Sequence, residues 1–181
     1  MEEKTGAGGK PQAYNKENGR WISQGQALVN IVKDFRAGNE VPKIITISEV
    51  NDREKSEIER ITGDKITRAI IHTIHVDELK HIENRHGIKG VADNSMSDLS
   101  DYKYIPLVLH DFDRIELLKT KNGESVFSSR YKNKYGQQAQ LIRFEKIINN
   151  EYFYVVEALT DTKRGDLSII TAYKEKIRSI I

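Results

Sequence analysis

Apolar side chains recur at helical spacing in the first half of the chain. A helix is predicted over residues 24–37, and Gly38 stands where it ends. The charged stretch 52–61, with sparse apolar positions, predicts a solvated helix. A third helix is predicted after Val76, with Asp77 as its N-cap and Gly87 as its end.

Short runs rich in β-branched residues predict the strands. Two of them, 42–48 and 66–74, alternate with the helices. A further strand is predicted over 114–119 after the apolar run 105–109. Three consecutive strands close the chain: 140–148, 152–159 and 166–173. Helices first and an antiparallel meander afterwards are typical of an α+β domain.

Composition narrows the class of protein. A chain of 181 residues with 38% hydrophobic residues suits one domain over 21–181. The lead over 1–20 is predicted to be flexible, either as a linker or as a frayed terminus. No apolar run is long enough for a transmembrane helix, and the start lacks the apolar stretch of a secretory signal peptide. The absence of cysteine excludes disulfides, thiolate metal sites and a cysteine nucleophile. A net charge of +2 permits only a small basic patch for an anionic substrate.

Four of the five histidines fall close together, and these are His72, His75, His81 and His86. On the third helix His81 and Arg85 are four residues apart and share a face, whereas Leu79 and Ile82 face the core. His86 follows Arg85 at the C-terminal end of this helix, where the helix dipole favours its charged form. His110 stands apart and is expected to be a hydrogen-bonded surface residue.

This set of side chains fits the cleavage of RNA by its own 2′-hydroxyl. The reaction needs a base for the 2′ proton, an acid for the leaving 5′ oxygen and a cation for the phosphate oxygens. Histidine suits both proton transfers at neutral pH, and the planar fork of arginine matches phosphate. His81 and His86 are therefore the candidate acid and base, in an order left open, with Arg85 on the phosphate. His72 and His75 are secondary candidates at the mouth of the cleft.

A zinc site is the alternative interpretation of the same histidines. It would use His72, His75 and either His81 or His86, because imidazole is a good zinc ligand. The spacing does not favour it, since no His-Glu-x-x-His element is present and Arg85 would place a cation beside the metal.

The last predicted strand carries a second group of candidates. Alternation places Ile169, Thr171 and Tyr173 on one face and Ile170 and Ala172, with Ser168, on the other. Thr171 and Tyr173 could bind a phosphate and stack on a base, or they could be ordinary strand formers.

Basic and aromatic residues also interleave between the helices and the final meander. This mixture is typical of surfaces that bind single-stranded RNA, although charge runs are usually only solvated faces. The candidate RNA-binding residues are Arg130, Tyr131, Lys132, Lys134 and Tyr135.

Two blocks together resemble a known group of nucleases. The blocks are His81-Ile-x-x-Arg-His-Gly87, followed by Ala-Asp-Asn-Ser-Met-Ser-Asp98, and the closing hairpin that ends in Thr171-Ala-Tyr173. Over residues 60–175 they are similar to the phage-associated branch of the barnase, EndoU, colicin-tRNase and RelE-like nuclease superfamily.

The resemblance implies N-terminal helices packed on a four- to five-stranded antiparallel sheet. It implies a metal-independent ribonuclease toxin domain without a cofactor, of a kind that often acts on tRNA, with His81, Arg85, His86, Thr171 and Tyr173 at the site. It also implies a cognate inhibitor protein, no membrane partner, and delivery within a larger secreted or phage-borne protein to a target-cell cytoplasm. A noncatalytic RNA- or protein-binding module of a phage particle is the alternative from another class.

Overall fold

The computed structural model describes residues 16–118, 127–132, 138–161 and 165–177. Its first helix begins at Lys16, so residues 16–20 of the predicted flexible lead are helical. Residues 1–15 of that lead lie outside the described part. Among the described residues, no helix has both the length and the apolar character needed to cross a bilayer.

The predicted helices and strands appear in the predicted order, and further elements join them over residues 99–110 and 127–132. The helices are α1 (Lys16–Arg36), α2 (Asp52–Thr62), α3 (Val76–His86), a 3₁₀ helix (Leu99–Tyr104) and α4 (Ile105–His110). The strands are β1 (Ile44–Glu49), β2 (Ile71–His75), β3 (Arg114–Leu117), β4 (Phe127–Lys132), β5 (Gln138–Ile148), β6 (Tyr152–Asp161) and β7 (Asp166–Lys176).

All seven strands form one sheet in the order β1-β2-β7-β6-β5-β3, with β4 also paired to β5. The α+β prediction is confirmed, although the sheet is larger than four or five strands. It is also mixed, because β2 pairs with β7 in parallel while the other pairs are antiparallel. The β1–β2 pair comes early in the chain and joins the C-terminal meander through β7. This pair accounts for the strands beyond those of the meander.

One face of the sheet packs against the helices and forms the main core. Ile74, Phe144, Val156 and Ala172 of the sheet are buried there, and so are side chains of α1 and α3. We call this the core face. Residues at the alternate strand positions occupy the opposite face, which we call the second face; it includes Arg143, Glu157, Thr171 and Tyr173.

Local sequence signals explain the ends of the elements. Asn51 and Glu54 form a capping box at the start of α2, and Gly63 ends that helix with a left-handed φ of 79°. Asn149 and Asn150, with φ of 57° and 56°, form the tight turn between β5 and β6.

The prediction that Asp77 caps α3 is wrong. The N-cap is His75, whose backbone is extended and whose side chain makes no capping hydrogen bond. The helix starts directly at the end of β2, so the last strand residue takes the N-cap position. Asp77 instead lies in the first turn, where its negative charge suits the helix dipole.

A bulge in β7 changes the predicted faces of that strand. Thr171 pairs with Glu157, but the next pair along the ladder joins Ile169 to Ala158, so Ile170 is an extra residue. Ile169 therefore lies with Ala172 on the core face, where both are buried. Thr171 and Tyr173 still share a face, as predicted, but without Ile169.

Candidate active site

The C-terminal end of α3 is closed by the loop that follows it. The backbone N–H of Val91 donates to the carbonyl of Asn84, and the N–H groups of Ala92 and Asp93 donate to that of Arg85. The loop thus folds back along the helix and satisfies its last carbonyls. Gly90 permits this return, because a Cβ atom there would lie 2.0 Å from the carbonyl oxygen of Asp93.

This loop brings a carboxylate to the histidine that ends the helix. His86 Nδ1 lies 2.9 Å from Asp93 Oδ1, and that oxygen also accepts a hydrogen bond from the backbone N–H of Ser95. Partial burial opposes ionisation, but the hydrogen bonds from Ser95 and His86 outweigh it and lower the pKa of Asp93. An ionised Asp93 accepts the Nδ1 proton of His86, which leaves Nε2 for proton transfer.

His86 also contacts the last strand. Its ring stacks on that of Tyr173, with centroids 5.1 Å apart and an interplanar angle of 25°. Burial raises the pKa of the Tyr173 hydroxyl; Arg143 opposes this and Glu157 adds to it. Tyr173 is therefore a neutral hydrogen-bond donor at physiological pH. The structure thus joins two of the predicted site residues, one from each of the two sequence blocks.

His81 and Arg85 lie on a different flank of α3. Glu83, the residue between them, forms an ion pair with Arg36 of α1 at 2.6 Å. Because successive helix residues are about 100° apart, His81 and Arg85 each lie about 200° around the helix from Glu83, away from α1. Arg85 is exposed and His81 is half-buried. The predicted common face of these two side chains is thereby consistent with the structure.

The second face holds charged residues that the sequence interpretation missed. Arg143 binds Glu157 through Nε and Nη2, at 3.1 and 2.9 Å, and Glu157 stands directly opposite Thr171. Glu145 lies 3.8 Å from Arg143, and burial raises the pKa of its carboxyl group. Along β5, Arg143 and Glu145 alternate with apolar residues, and this period-two pattern is the signal that could have identified them.

Three histidines occupy places that differ in part from the predictions. His72 is fully buried on the core face and does not line the mouth of a cleft. His110 is buried as well and is not a surface residue. Both bind the Glu54 carboxylate, which the sequence interpretation did not connect with them. His75 is half-buried at the end of β2, three positions from His72 and hence on the second face.

The zinc set proposed from the sequence is not assembled. His72 and His75 lie on opposite faces of the sheet, because a strand alternates its side chains. Within the described ranges, Glu54, His72 and His110 form the only group of three side chains with suitable ligand atoms close together.

The candidate RNA-binding residues fall at the limit of the described structure. Arg130, Tyr131 and Lys132 belong to strand β4 by their backbone, but their side chains lie outside the described part. Lys134 and Tyr135 lie outside it altogether. Their part in binding RNA stays a prediction.

Comparison with known proteins identifies one family. A family model described as phage-Barnase-EndoU-ColicinE5/D-RelE like nuclease3 matches residues 48–180. The matched range includes α3, its loop and β7, and therefore every residue of the site described above. No curated protein and no solved structure matches the chain.

Proposed function

Because the chain belongs to the phage-Barnase-EndoU-ColicinE5/D-RelE like nuclease3 family, we propose that this nuclease is an endoribonuclease that needs no metal for cleavage. The observation that carries the proposal is the position of His86, which is held by Asp93 and stacked on Tyr173. A histidine with a fixed tautomer beside a neutral phenol suits proton transfer near a phosphate. RNA fits best, because its 2′-hydroxyl supplies the nucleophile and no metal-activated water is required.

The proposed reaction has a single transesterification step. Nε2 of His86 takes the proton of the 2′-hydroxyl as its oxygen attacks phosphorus. The bond from phosphorus to the 5′ oxygen breaks, and His81 gives that oxygen a proton. The products are a 2′,3′-cyclic phosphate and a 5′-hydroxyl. We assign the base to His86 because the Asp93 carboxylate stabilises the imidazolium that forms there.

Charge on the phosphate is met by donors from both sides of the site. Arg85 is exposed at the end of α3 and can reach an incoming phosphate with a bidentate guanidinium. Thr171 and Tyr173 offer hydroxyl donors from β7. Arg143 adds a second guanidinium on the same face, where Glu157 fixes its orientation.

We extend the proposal to the partners of the site. Transfer RNA is the proposed substrate class, with Arg130, Tyr131, Lys132, Lys134 and Tyr135 as further contacts to the strand. A toxin domain of this kind requires an inhibitor protein in the cell that makes it, and an acidic inhibitor surface would match the arginines of the site. Association with such an inhibitor should slow as salt rises, and it should block RNA access to His86.

The direct test uses purified protein and defined RNA. Wild-type protein, His86→Ala and the control variant Lys80→Ala, an exposed change elsewhere on α3, are incubated with tRNA and with a labelled mRNA in EDTA. We expect cleavage by the wild type and the control, with cyclic phosphate ends, and none when a single 2′-deoxynucleotide replaces the cleaved position. Cleavage of that deoxy substrate, or loss of activity in EDTA with an unchanged melting temperature, would contradict the mechanism.

A second experiment tests which histidine is the acid. A substrate with sulfur in place of the 5′ bridging oxygen has a leaving group that needs no proton. This substrate should restore the rate of His81→Ala towards that of the wild type and leave His86→Ala slow. The reverse pattern would exchange the two assignments.

A further inference from the structure

A buried group of polar side chains lies in the core, apart from the site on the second face. Glu54 of α2, His72 of β2 and His110 of α4 are each at least 97% buried. Glu54 Oε2 lies 2.5 Å from His72 Nε2, and Glu54 Oε1 lies 2.5 Å from His110 Nδ1. One ligand atom from each of the three side chains lies within 4.8 Å of the other two.

Both imidazole rings are held by their neighbours. The ring of His110 stacks on Trp21 at 5.1 Å, and its Nε2 lies 2.5 Å from the hydroxyl of Ser48. The ring of His72 meets that of Phe144 edge-on at 6.0 Å. A metal-binding histidine is usually oriented by a hydrogen bond that its outer ring nitrogen donates, and the Ser48 hydroxyl can accept such a bond from Nε2 of His110. Nδ1 of His72 has no hydrogen-bond partner among the described residues.

The charge of this cluster also favours a cation. Within the described part of the chain, the ion-pair partners of Glu54 are these two histidines, and neither lysine nor arginine joins them. A buried carboxylate is stabilised when a positive charge compensates it.

We propose that Glu54, His72 and His110 bind one divalent transition-metal ion, with zinc the best fit. Two imidazoles and a carboxylate are ligands that Zn²⁺ accepts, and zinc does not require the thiolates that this chain lacks. Ligand atoms of a tetrahedral zinc lie about 3.3 Å apart, so the three ligand atoms, which lie within 4.8 Å of one another, would change their separations by no more than about 1.5 Å.

Binding changes the protonation of both rings. The ligand atoms Nε2 of His72 and Nδ1 of His110 must be free of protons, so each neutral ring carries its proton on the other nitrogen. His110 then donates from Nε2 to the hydroxyl oxygen of Ser48. The ion would join α2, β2 and α4 as a structural link, and it takes no part in the cleavage reaction, since Tyr173 lies on the opposite face of the sheet.

The test compares the metal-free and zinc-loaded full chain. Protein purified without a metal-affinity step is analysed for metal, freed of metal with a chelator, and melted with and without added ZnCl₂. We expect about one zinc per chain and a melting temperature raised by about 5–10 °C when zinc exceeds its Kd a hundredfold. Cobalt added to the metal-free protein should give the visible absorption of a tetrahedral site.

Variants show where the ion binds. Glu54→Gln keeps the shape of the cluster and should abolish both the zinc-dependent shift and the cobalt spectrum, whereas the control His75→Ala, on the second face, should keep both. Should Glu54→Gln fail to fold, the comparison is made with His72→Gln, which should lack the cobalt spectrum that the wild type shows. The proposal is overturned if the wild type carries no metal and zinc leaves its melting temperature unchanged, or if Glu54→Gln retains the response.

Discussion

The imidazole of His86 lies flat against the ring of Tyr173, and this contact joins the end of α3 to the last strand. His86 is consequently 7% exposed. Strand β7 and the loop with Asp93 cover His86, and neither contact was predicted from the sequence. Its replacement therefore affects both the fold and the proposed chemistry, whereas replacement of Arg85 should affect the chemistry alone.

His86→Ala should lower the cleavage rate by about 10²–10⁴-fold, the usual effect of removing a proton-transfer group. It should also cost about 1–3 kcal/mol of folding free energy, because the variant loses the hydrogen bond to Asp93 and the contact with Tyr173. Paired thermal melts and cleavage assays measure both effects. A folded variant with the full rate would show that His86 is structural.

The rate should follow a bell-shaped dependence on pH, because the proposed base must be neutral and the proposed acid protonated. Asp93→Asn should retain the fold but lower the rate by between about 10- and 10⁴-fold, since the amide no longer fixes the tautomer of His86. The same variant should also shift the acidic side of the pH profile, which depends on the protonation of the proposed base. A flat profile between about pH 5 and 8 in the wild type would argue against histidine chemistry.

Arg85→Ala should separate binding of the phosphate from stability. The side chain is exposed, so the free energy of unfolding should change by no more than about 0.5 kcal/mol. The rate should fall by about 10²–10³-fold through loss of charge on the transition state. Lys80→Ala, also exposed on α3, is the matched control and should leave both quantities unchanged. Equal losses in the two variants would indicate a general effect of charge.

Ile82→Ala should lower the stability of the fold and leave the cleavage rate of the folded molecules unchanged, the reverse of what is expected for Arg85→Ala. Ile82 is fully buried in the core, so the change should cost about 2–5 kcal/mol through the cavity it leaves. The fraction that stays folded should cleave at the wild-type rate, which a denaturation curve and an assay at low temperature can establish. A rate that falls much further than the folded fraction would place Ile82 in the site.

Glu54 should make the fold sensitive to acid. Its pKa is about 2 in the folded chain, against 4.5 for the free side chain. The folded state therefore gains stability that is complete above about pH 4.5 and is lost as pH falls towards 2; the gain is on the order of 3 kcal/mol. Urea unfolding of metal-free protein from pH 6 to pH 2 measures it. Glu54→Gln should remove this part of the pH dependence, and an unchanged slope in that variant would refute the assignment.

The sequence predicted the elements better than their contacts. Three closing strands and the helix around Leu79 and Ile82 followed from local periodicity, because each buries one face. The bulge at Ile170 could not be predicted, since an extra residue is visible only against the partner strand. Period-two counting then misplaced Ile169.

The histidines show the same limit at the level of the site. A cluster in the sequence suggested a cluster in space, but His72 binds Glu54, which also binds His110, and both partners come from other elements. Asp93 was within the recognised block and yet had no assigned role, because its contact with His86 depends on the path of the loop. Proximity across the fold is set by the topology of the sheet, and a local pattern does not report it.

The parallel pairing of β2 with β7 has a consequence for the order of assembly. Residues 71–74 find their partners only at 166–169, about 95 residues further along the chain. A ribosome therefore releases β2 and α3 long before the strand that receives them. Contacts of such long range form late, because the loop between them must close first. Since Tyr173 belongs to the same strand, the nascent nuclease stays without its site until β7 has left the ribosome.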